Sequence, residues 1–365
     1  MDSINNTNKT VFVGLSGGVD SAVSACLLKE QGYHVVGIFM KNWSGDDYGL
    51  QADCPWEVDQ ADAEAVCKTI GIEFRSFNFE KEYRAKVVEY FFNEYQKGRT
   101  PNPDVMCNKE IKFKLFLEKA LEMGADYIAT GHYAIKQYDA KGNPHLFKGA
   151  DSNKDQTYFL YNLTSEQLSR TLFPVGNLEK SQVRKLAQQY KLPNANKPDS
   201  QGICFIGEIN VLKFLMKRIP EKPGDILDID TKAKVGTHKG IYFYTIGQRD
   251  GLGIGGQIEP YYVVDKDIDN NILYVGHGRE HPAMHKAEVQ LENLHLINPN
   301  LEQNILQDTD LSASVRYRNQ PNLGKLIKDN MEYKFIFDKP QRAITSGQSL
   351  VLYRDSECLG GGVIV

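Results

Sequence analysis

The stretch GLSGGVDS, Gly14 to Ser21, decides the fold of the N-terminal half of the chain. It follows the apolar, β-branched run Lys9 to Val13 and precedes Ala22 to Glu30, where apolar residues recur at helical spacing. This order predicts a strand, a glycine-rich turn and a helix. Gly17 and Gly18 let backbone N–H groups approach an anion, and the N-terminus of the helix favours negative charge at the same place. The turn is therefore predicted to bind phosphate.

The side chains of this turn indicate a metal-bound nucleotide. Ser16, Asp20 and Ser21 flank the glycines, and a carboxylate beside a phosphate is repulsive unless a divalent cation lies between them. The turn also lacks the lysine with which a Walker-type loop reaches the outer phosphates. The structural alternative is a tight turn capped by Ser16 or Asp20. The whole pattern is more specific, and it resembles the phosphate loop of the ATP-pyrophosphatase superfamily, whose members cleave ATP between the α- and β-phosphates.

The composition is that of an ordinary globular protein. The length of 365 residues predicts two or three domains, with 25% charged and 41% hydrophobic residues. A net charge of −4 gives no global sign of nucleic-acid binding, so any such site must be a local basic surface. The polar start MDSINNTNK has no signal-peptide core, and no apolar run is long enough to span a bilayer. We expect a cytoplasmic protein without a membrane partner.

Strand-like and helix-like patterns alternate after the first turn. Strands are predicted at Tyr33–Trp43, Glu73–Phe79 and Ala125–Tyr133, and helices at Pro55–Ile70, Glu80–Lys97 and Lys109–Met123. Such alternation predicts a doubly wound parallel α/β sheet, in which ligands bind at the carboxyl ends of the strands. Met40 and Gly131 lie at two such ends. Met40 is a candidate cover for an adenine ring, with core packing as the alternative, and Gly131 would let a nucleotide approach the backbone.

The remaining chain changes from helical to strand periodicity. A hairpin is predicted between Tyr133 and Ala150, a helix at Glu179–Tyr190 and a polar loop at Lys191–Gly207. Short strands follow at Ile241–Ile246, Tyr261–Val264 and Ile272–Val275, and the alternation after His285 is typical of a small barrel. We therefore predict a catalytic domain at 1–215, a central β-rich domain at 216–282 and a C-terminal antiparallel β-barrel at 283–365.

Six cysteines without a CxxC pair argue against a zinc site and a structural disulfide framework. Cys26, Cys67 and Cys358 lie in apolar patterns and are predicted to be buried and inert. Cys107 lies in TPNPDVMCNKEIKF, where two prolines predict that the helix begins only after the cysteine.

Cys107 would then lie near a helix N-terminus and beside Lys109 and Lys112, all of which favour its thiolate. The carboxylate of Asp104 would raise the pKa of a neighbouring thiol, so Asp104 is better suited to acid–base work on a substrate than to activating Cys107. The alternative is that Asn102 or Asp104 caps a helix and that Cys107 is inert.

Cys204 lies in DSQGICFIG, and its apolar neighbours favour a buried, inert thiol when this segment is considered alone. Its combination with the nucleotide turn and a second loop cysteine changes the interpretation. Two such thiols suit sulfur chemistry, because one can carry a persulfide while the other resolves it by thiol exchange.

Eight motifs together resemble those of the tRNA-specific 2-thiouridylases, in the order of that family and over nearly the whole chain. They are GLSGGVDS, TPNPDVMCNKEIKF, ATGHYA, KDQTYFL, QGICFIG, TIGQRDGLGIGG, SVRYR and CLGGGVI. The resemblance implies an adenine nucleotide alpha hydrolase-like fold and ATP-dependent 2-thiolation of the wobble uridine of tRNA. The reaction would pass through an adenylated uridine and a cysteine persulfide and release AMP and pyrophosphate.

The resemblance also implies a role for each matching residue. ATP with Mg²⁺ would be bound by Gly14, Leu15, Ser16, Gly17, Gly18, Val19, Asp20, Ser21, Met40 and Gly131. The target base would meet Asn102, Pro103 and Asp104, and further tRNA contacts would come from His132, Lys154, Asp155, Gln156, Arg316, Tyr317 and Gln348. The catalytic residues would be Asp104, Cys107 and Cys204.

Within this scheme Cys204 would receive sulfur from a persulfide donor, either a cysteine desulfurase or a sulfur-relay protein. Cys107 would free that sulfur and leave a Cys107–Cys204 disulfide. A permanently bound cofactor is not expected.

Two other functions are compatible with parts of the sequence. One is another adenylating pyrophosphatase that acts on a carboxylate or amide with ammonia, which would need no paired cysteines. The other is a non-catalytic RNA-binding protein in which the glycine turn only senses nucleotide.

Overall fold

The computed structural model describes residues 6–44, 56–199, 211–255 and 259–365. Their strands form a five-stranded, a four-stranded and an eight-stranded sheet. The strands are β1 Thr10–Leu15, β2 His34–Lys41, β3 Glu73–Asn78, β4 Tyr127–Ala129, β5 Ala134–Tyr138, β6 Pro144–Lys148, β7 Thr171–Leu172, β8 Gly224–Asp228, β9 Lys234–His238, β10 Tyr261–Asp267, β11 Ile272–His277, β12 His285–Leu296, β13 Leu311–Ser314, β14 Asn322–Asp329, β15 Glu332–Arg342, β16 Ser349–Arg354 and β17 Glu357–Ile364.

The first sheet is parallel and has the order β3-β2-β1-β4-β7. Chain direction along the sheet reverses at β1, since β2 and β3 lie on one side of it and β4 and β7 on the other. Alternate residues of β1 face opposite layers: Phe12 packs with the core that contains Phe116, whereas Val11 and Val13 pack with the core that contains Leu28. Helices therefore cover both faces, which confirms the predicted α/β class.

The helices differ in how regular they are. Regular helices lie at Val19–Glu30, Trp56–Ile70, Ser165–Ser169, Lys180–Gln189, Val211–Leu215 and Glu302–Leu306. Two longer ones, 80–96 and 103–122, contain the π-helical segments Arg84–Val88 and Asn108–Leu115. Cys107 is the last residue before the second π segment. π-Helical turns of this kind are frequent at functional sites.

Three sequence predictions need correction. The helix that follows the two prolines begins at Pro103, before Cys107, because proline is tolerated at the first helical position and Asn102 caps the helix. Strand β4 has only three residues, and the chain leaves the sheet at Thr130. The apolar run Ile241–Ile246 forms a 3₁₀ turn at Ile241–Phe243, followed by irregular chain, instead of a strand.

The C-terminal strands form the predicted antiparallel barrel. Strands β12, β15, β14, β13, β16 and β17 pair in that order, and β12 pairs back onto β17 to close the ring. Phe335 and Phe337 point into its core, whereas Ile336 between them is exposed, as the alternation indicates. The hairpin β5–β6 adds to the outside of this barrel, with Phe147 opposite Glu357 and Leu146 opposite Cys358.

The middle of the chain forms a small sheet of the order β10-β11-β8-β9. Strands β10 and β11 lie where Tyr261–Val264 and Ile272–Val275 are predicted as strands, and β8 and β9 were not predicted. In the part of the chain that the structure describes, no helix is both long and apolar enough to cross a membrane.

Candidate active site

The glycine turn lies at the point where strand order reverses. Strand β1 ends at Leu15, and its neighbour β4 ends at Ala129, opposite Val13. The helix Val19–Glu30 begins directly after the turn, with Gly18 at the N-cap and no side chain in the capping position. Its first N–H groups are therefore left for a ligand. A crevice at such a switch point is the usual ligand site of an open parallel sheet.

Close packing fixes the backbone of the turn. Gly17 has a φ of +74°, and a Cβ there would lie 2.6 Å from the carbonyl oxygen of Asp59. The side-chain amide of Asn194 donates to the carbonyl oxygen of Gly17 at 2.9 Å. Within the turn, the Ser21 hydroxyl accepts from the Ser16 N–H at 3.2 Å and donates to the Gly18 carbonyl oxygen at 3.2 Å. The turn is therefore preorganised by residues far from it in sequence.

Asp20 is already paired within the protein. Lys180 Nζ lies 2.7 and 2.8 Å from its two carboxylate oxygens, and the Tyr133 hydroxyl donates to Oδ1 at 2.9 Å. Burial, and next the charge of Asp20, raise the pKa of Tyr133, which therefore remains a hydrogen-bond donor at neutral pH. Any cation that Asp20 meets in a ligand complex must compete with Lys180.

Met40 and Gly131 border the turn. Met40 is 5% exposed, and its Cε lies 3.1 Å from the position that a Cβ on Gly14 would occupy. A Cβ on Gly131 would lie 2.6 Å from the backbone nitrogen of Ser21. The structure thus places Gly131 against the protein's own turn, and its missing side chain allows β4 and the helix start to approach each other.

A second charged group lies next to Asp20. Lys180 Nζ also contacts Asp199 Oδ1 at 2.7 Å, and the same carboxylate is bound by Lys154 at 2.6 Å and Arg184 at 2.7 Å. Burial opposes ionisation of Asp199, but the hydrogen bonds from Lys154 and Lys180 outweigh it and hold the pKa of the carboxyl well below its usual range. Lys154, a predicted tRNA contact, is thus engaged with the protein in this state.

The segment that carries Cys107 is held at both ends. Asn102 Oδ1 accepts from the Val105 N–H at 3.2 Å and caps the helix, and the Asn108 side chain donates to the Phe159 carbonyl oxygen at 3.2 Å. Cys107 itself is fully buried. Asn102, Pro103 and Asp104 are half-buried. The segment thus has a feature of each interpretation: Asn102 caps the helix, as the structural alternative expects, and the Cys107 thiol lies within the first five residues of that helix, as the functional one expects.

Three predicted tRNA contacts lie on or beside the barrel. Gln348 Nε2 donates to the carbonyl oxygens of Thr100 and Pro101 at 2.8 and 3.1 Å. Arg316 donates to the Ala343 carbonyl oxygen at 2.5 Å, and burial followed by the charge of Arg342 lowers its pKa. The Tyr317 ring lies 4.4 Å from that of Phe159, centroid to centroid. Gln348 thus fixes the chain directly before Asn102.

The other predicted contacts are mostly engaged internally. His132 is 8% exposed, and burial lowers its pKa well below the usual range, so its ring is neutral. Asp155 accepts from the Gly149 and Thr157 N–H groups, and burial raises its pKa. Gln156 Oε1 accepts from the Tyr133 N–H at 3.0 Å. These three side chains are therefore engaged with the chain around residues 130–157.

All four cysteines among the described residues, Cys26, Cys67, Cys107 and Cys358, are buried. Cys26, Cys67 and Cys358 are buried in the protein core, and burial, the largest cause, raises the pKa of Cys26 and of Cys67 to about 12. Burial raises the pKa of Cys358 as well. Thiols of this kind are poor nucleophiles at neutral pH. Cys54 and Cys204 lie outside the described residues, so the predicted approach of Cys204 to Cys107 stays a prediction.

The residues around the turn fit a polyphosphate. Free N–H groups, the helix N-terminus and Lys180 supply positive potential at one end of the sheet. Among the described residues, no group of three or more His, Cys, Asp or Glu side chains could hold a metal ion. Asp20 is the carboxylate of the turn that could contact Mg²⁺ brought with a nucleotide, an ion that usually keeps several waters and is bound through one or two carboxylates and phosphates.

Several site residues carried no local signal in the sequence. Lys180, Tyr133 and Asn194 reach the turn from positions more than 100 residues away. Arg184 follows Lys180 at the spacing that places two side chains on one helix face, which is the one local hint of a shared target.

Three family models together match nearly the whole chain. They are described as the tRNA methyl transferase HUP domain, matching residues 9–208, the tRNA methyl transferase PRC-barrel domain, matching 212–277, and the aminomethyltransferase beta-barrel domain, matching 272–364.

Curated relatives match over almost their full length. The tRNA-specific 2-thiouridylase MnmA of Staphylococcus carnosus is 50% identical over 99% of this chain and 96% of its own. The protein of the same name from Pectobacterium carotovorum is 50% identical over 98% of each chain. A solved 4-thiouridine synthetase–RNA complex with bound ATP overlaps 52% of this chain and 43% of that chain, at 16% identity and a TM-score of 0.34, which is too weak to bear on function. Because it is 50% identical to these relatives over nearly its full length, the chain belongs to the tRNA-specific 2-thiouridylases, a family of tRNA sulfurtransferases.

Proposed function

We propose that this protein catalyses ATP-dependent 2-thiolation of the wobble uridine of tRNA. The observation that carries the proposal is the 50% identity to proteins of that name over nearly the whole chain. The glycine turn at the switch point of the sheet supports it, since this is where a nucleotide would bind. The helix that begins at Pro103 supplies the buried thiol of Cys107 in the same domain.

The proposed reaction begins with ATP bound as its Mg²⁺ complex by Gly14 to Ser21, Met40 and Gly131. The carbonyl at position 2 of uridine is urea-like and a poor electrophile. Transfer of the AMP group to its oxygen releases pyrophosphate and turns that oxygen into a leaving group. The base must leave its stack to react, and Asn102, Pro103 and Asp104 would line the pocket that receives it.

Sulfur transfer would then use Cys107 and Cys204. A cysteine desulfurase or sulfur-relay protein loads Cys204 with a persulfide. The Cys107 thiolate attacks the inner sulfur, forms a Cys107–Cys204 disulfide and releases hydrosulfide, which attacks C2 of the adenylated uridine and expels AMP. A reductant restores both thiols. Asp104 would move protons at the base, and the reaction would take place in the cytoplasm, where its tRNA substrate is found.

The tRNA contacts proposed are His132, Lys154, Asp155, Gln156, Arg316, Tyr317 and Gln348. Lys154 and Tyr317 are each partly exposed to solvent. Tyr317 and Phe159 together present an aromatic pair of the kind on which unpaired bases stack.

The test is a thiolation assay with tRNA, ATP and a persulfide donor, in which mass spectrometry detects 2-thiouridine and AMP and pyrophosphate are measured. Cys204→Ser should prevent persulfide loading. Cys107→Ser should permit loading on Cys204 but block transfer. Cys26→Ala, which alters a core thiol, is the control and should retain thiolation.

Two results would refute the proposal. Undiminished turnover in both cysteine variants would favour an adenylating enzyme that uses ammonia. The absence of AMP and pyrophosphate formation with tRNA would favour an RNA-binding protein without catalysis.

A further inference from the structure

Three cationic side chains converge on one carboxylate beside the glycine turn. Lys154 Nζ binds Asp199 Oδ2, while Lys180 Nζ and Arg184 both bind Asp199 Oδ1, at 2.6 to 2.7 Å. A single carboxylate normally needs one such partner. The group therefore carries more positive charge than Asp199 alone can balance, and Asp20 supplies the second negative charge through Lys180.

Two of the three cations, Lys180 and Arg184, also bind groups other than Asp199. Arg184 also donates to the carbonyl oxygens of Ala195 and Lys197. Lys180 is the first residue of its helix, and its N–H donates to Asp151 Oδ2 at 3.0 Å. Lys180 and Arg184 would thus keep other partners if Asp199 moved away, which favours a preorganised anion site.

The position of the cluster indicates which anion it would take. Lys180 Nζ contacts Asp20 in the turn and Asp199 at the same time, so the cluster begins one side chain away from the turn. The turn has no lysine of its own that could reach the outer phosphates of a nucleotide. Lysine and arginine are the side chains that usually bind phosphoryl oxygens.

We propose that Lys180, Arg184 and Lys154 form the subsite for the β- and γ-phosphoryl groups of the nucleotide, and that the Asp199 carboxylate occupies this subsite until the polyphosphate displaces it. This inference rests on the proposed function, since it assumes that the turn binds ATP. Asp199 acts as an internal competitor: it pairs with all three cations in the free protein and is exchanged for a ligand of higher charge.

A phosphate of the tRNA backbone has the same chemistry and is the other possible source of the ligand. The shared contact of Lys180 with Asp20 favours the nucleotide, because a tRNA phosphate would not need to lie beside the turn.

The test measures binding of Mg²⁺-pyrophosphate to the full-length protein, without tRNA, by isothermal titration calorimetry. Asp199→Asn removes the competing charge and should tighten binding by about threefold to tenfold, whereas Lys180→Met should weaken it by about tenfold or more. Lys185→Met is the matched control, since it removes an exposed charge from the same helix and should change affinity by less than about twofold. Thermal unfolding verifies that each variant is folded.

The outcomes separate the alternatives. Pyrophosphate affinity that is unchanged or weaker in Asp199→Asn would overturn the proposal, as would full affinity in Lys180→Met. If Asp199→Asn tightened tRNA binding in a filter assay and left pyrophosphate binding unchanged, the subsite would belong to RNA and the proposal would also fail. If the variants change pyrophosphate affinity as expected but the wild-type protein does not thiolate tRNA, the proposed function is refuted and the proposed subsite stands.

Discussion

Gly131 offers the sharpest test of how the turn is held. A Cβ at this position would lie 2.6 Å from Ser21 N and 2.8 Å from the Asp20 carbonyl carbon, both of them backbone atoms. Ordinary contact begins at 3.4 Å, so Gly131→Ala must separate the end of β4 from the turn by about 0.8 Å. The turn cannot retreat freely, because Gly17 already packs on the Asp59 backbone and is bound by Asn194.

This displacement predicts a loss of stability and of catalysis together. Overpacking of this kind costs about 1 to 3 kcal/mol of unfolding free energy. A shift approaching 1 Å in a group that orients the substrate can lower the rate by about 100-fold. We expect both effects in Gly131→Ala, measured by urea unfolding and by tRNA-dependent pyrophosphate release.

Gly255→Ala is the control, since no atom of the described residues, apart from its chain neighbours, lies within 4 Å of a Cβ at that glycine. Its stability and turnover should match the wild type. Wild-type pyrophosphate release in Gly131→Ala would show that the contact between β4 and the turn does not position the nucleotide. A selective rise in the KM for ATP, without loss of stability, would instead indicate direct contact between Gly131 and the nucleotide.

Three further predictions concern other parts of the molecule. Affinity for tRNA should fall with rising salt, with a logarithmic slope of about −0.7 per phosphate neutralised in single-stranded regions, and a flat response in filter binding would contradict RNA as the substrate. Burial lowers the pKa of Lys266 to about 8 from 10.5, so between these values the unfolded chain binds more protons than the native one. The stability of the wild type relative to Lys266→Met should therefore rise with pH across this window, by at most about 1.4 kcal/mol per pH unit. Urea unfolding of both proteins at about pH 7 to 10 measures this difference in unfolding free energy, and a difference that stays constant with pH would contradict the prediction. Gln348→Leu removes two hydrogen bonds to the backbone before Asn102 and should cost about 1 to 3 kcal/mol even without tRNA, whereas a purely RNA-contacting role predicts unchanged stability and weaker tRNA binding.

The parts of the fold that were predictable are those with local signals. The strand, turn and helix around Gly14 to Ser21 follow from residues adjacent in sequence, and so does the alternation of Phe335 and Phe337 in the barrel. The early helix start was also readable, because Asn102, Pro103 and Asp104 are suitable residues for the N-cap and first turn. The predicted helix start after Cys107 was wrong because proline breaks a helix in its interior but is tolerated in its first turn.

The missing parts depend on contacts between distant segments. The pairing of β6 with β17 joins residues more than 200 positions apart, and the Lys180–Asp20 pair joins residues 160 positions apart. Such pairs leave no periodicity in either segment. The charges at Lys180, Arg184 and Asp199 are individually typical of a solvated surface, and only the folded chain brings them to one place.

The same long-range contacts connect the β-rich parts of the chain to the proposed chemistry. Lys266 of the central sheet donates to the Gly98 carbonyl oxygen. The Thr100 N–H donates to the Ser346 carbonyl oxygen of the barrel, and Gln348 donates to the carbonyl oxygens of Thr100 and Pro101. These bonds fix residues 98–101, which lead directly into Asn102 and the helix of Cys107. The central sheet and the barrel therefore help to position the proposed base pocket through the residues that precede it. Loss of activity when either is altered is not by itself a measure of tRNA contact. A role in RNA binding requires that tRNA affinity falls by more than the accompanying loss of stability explains.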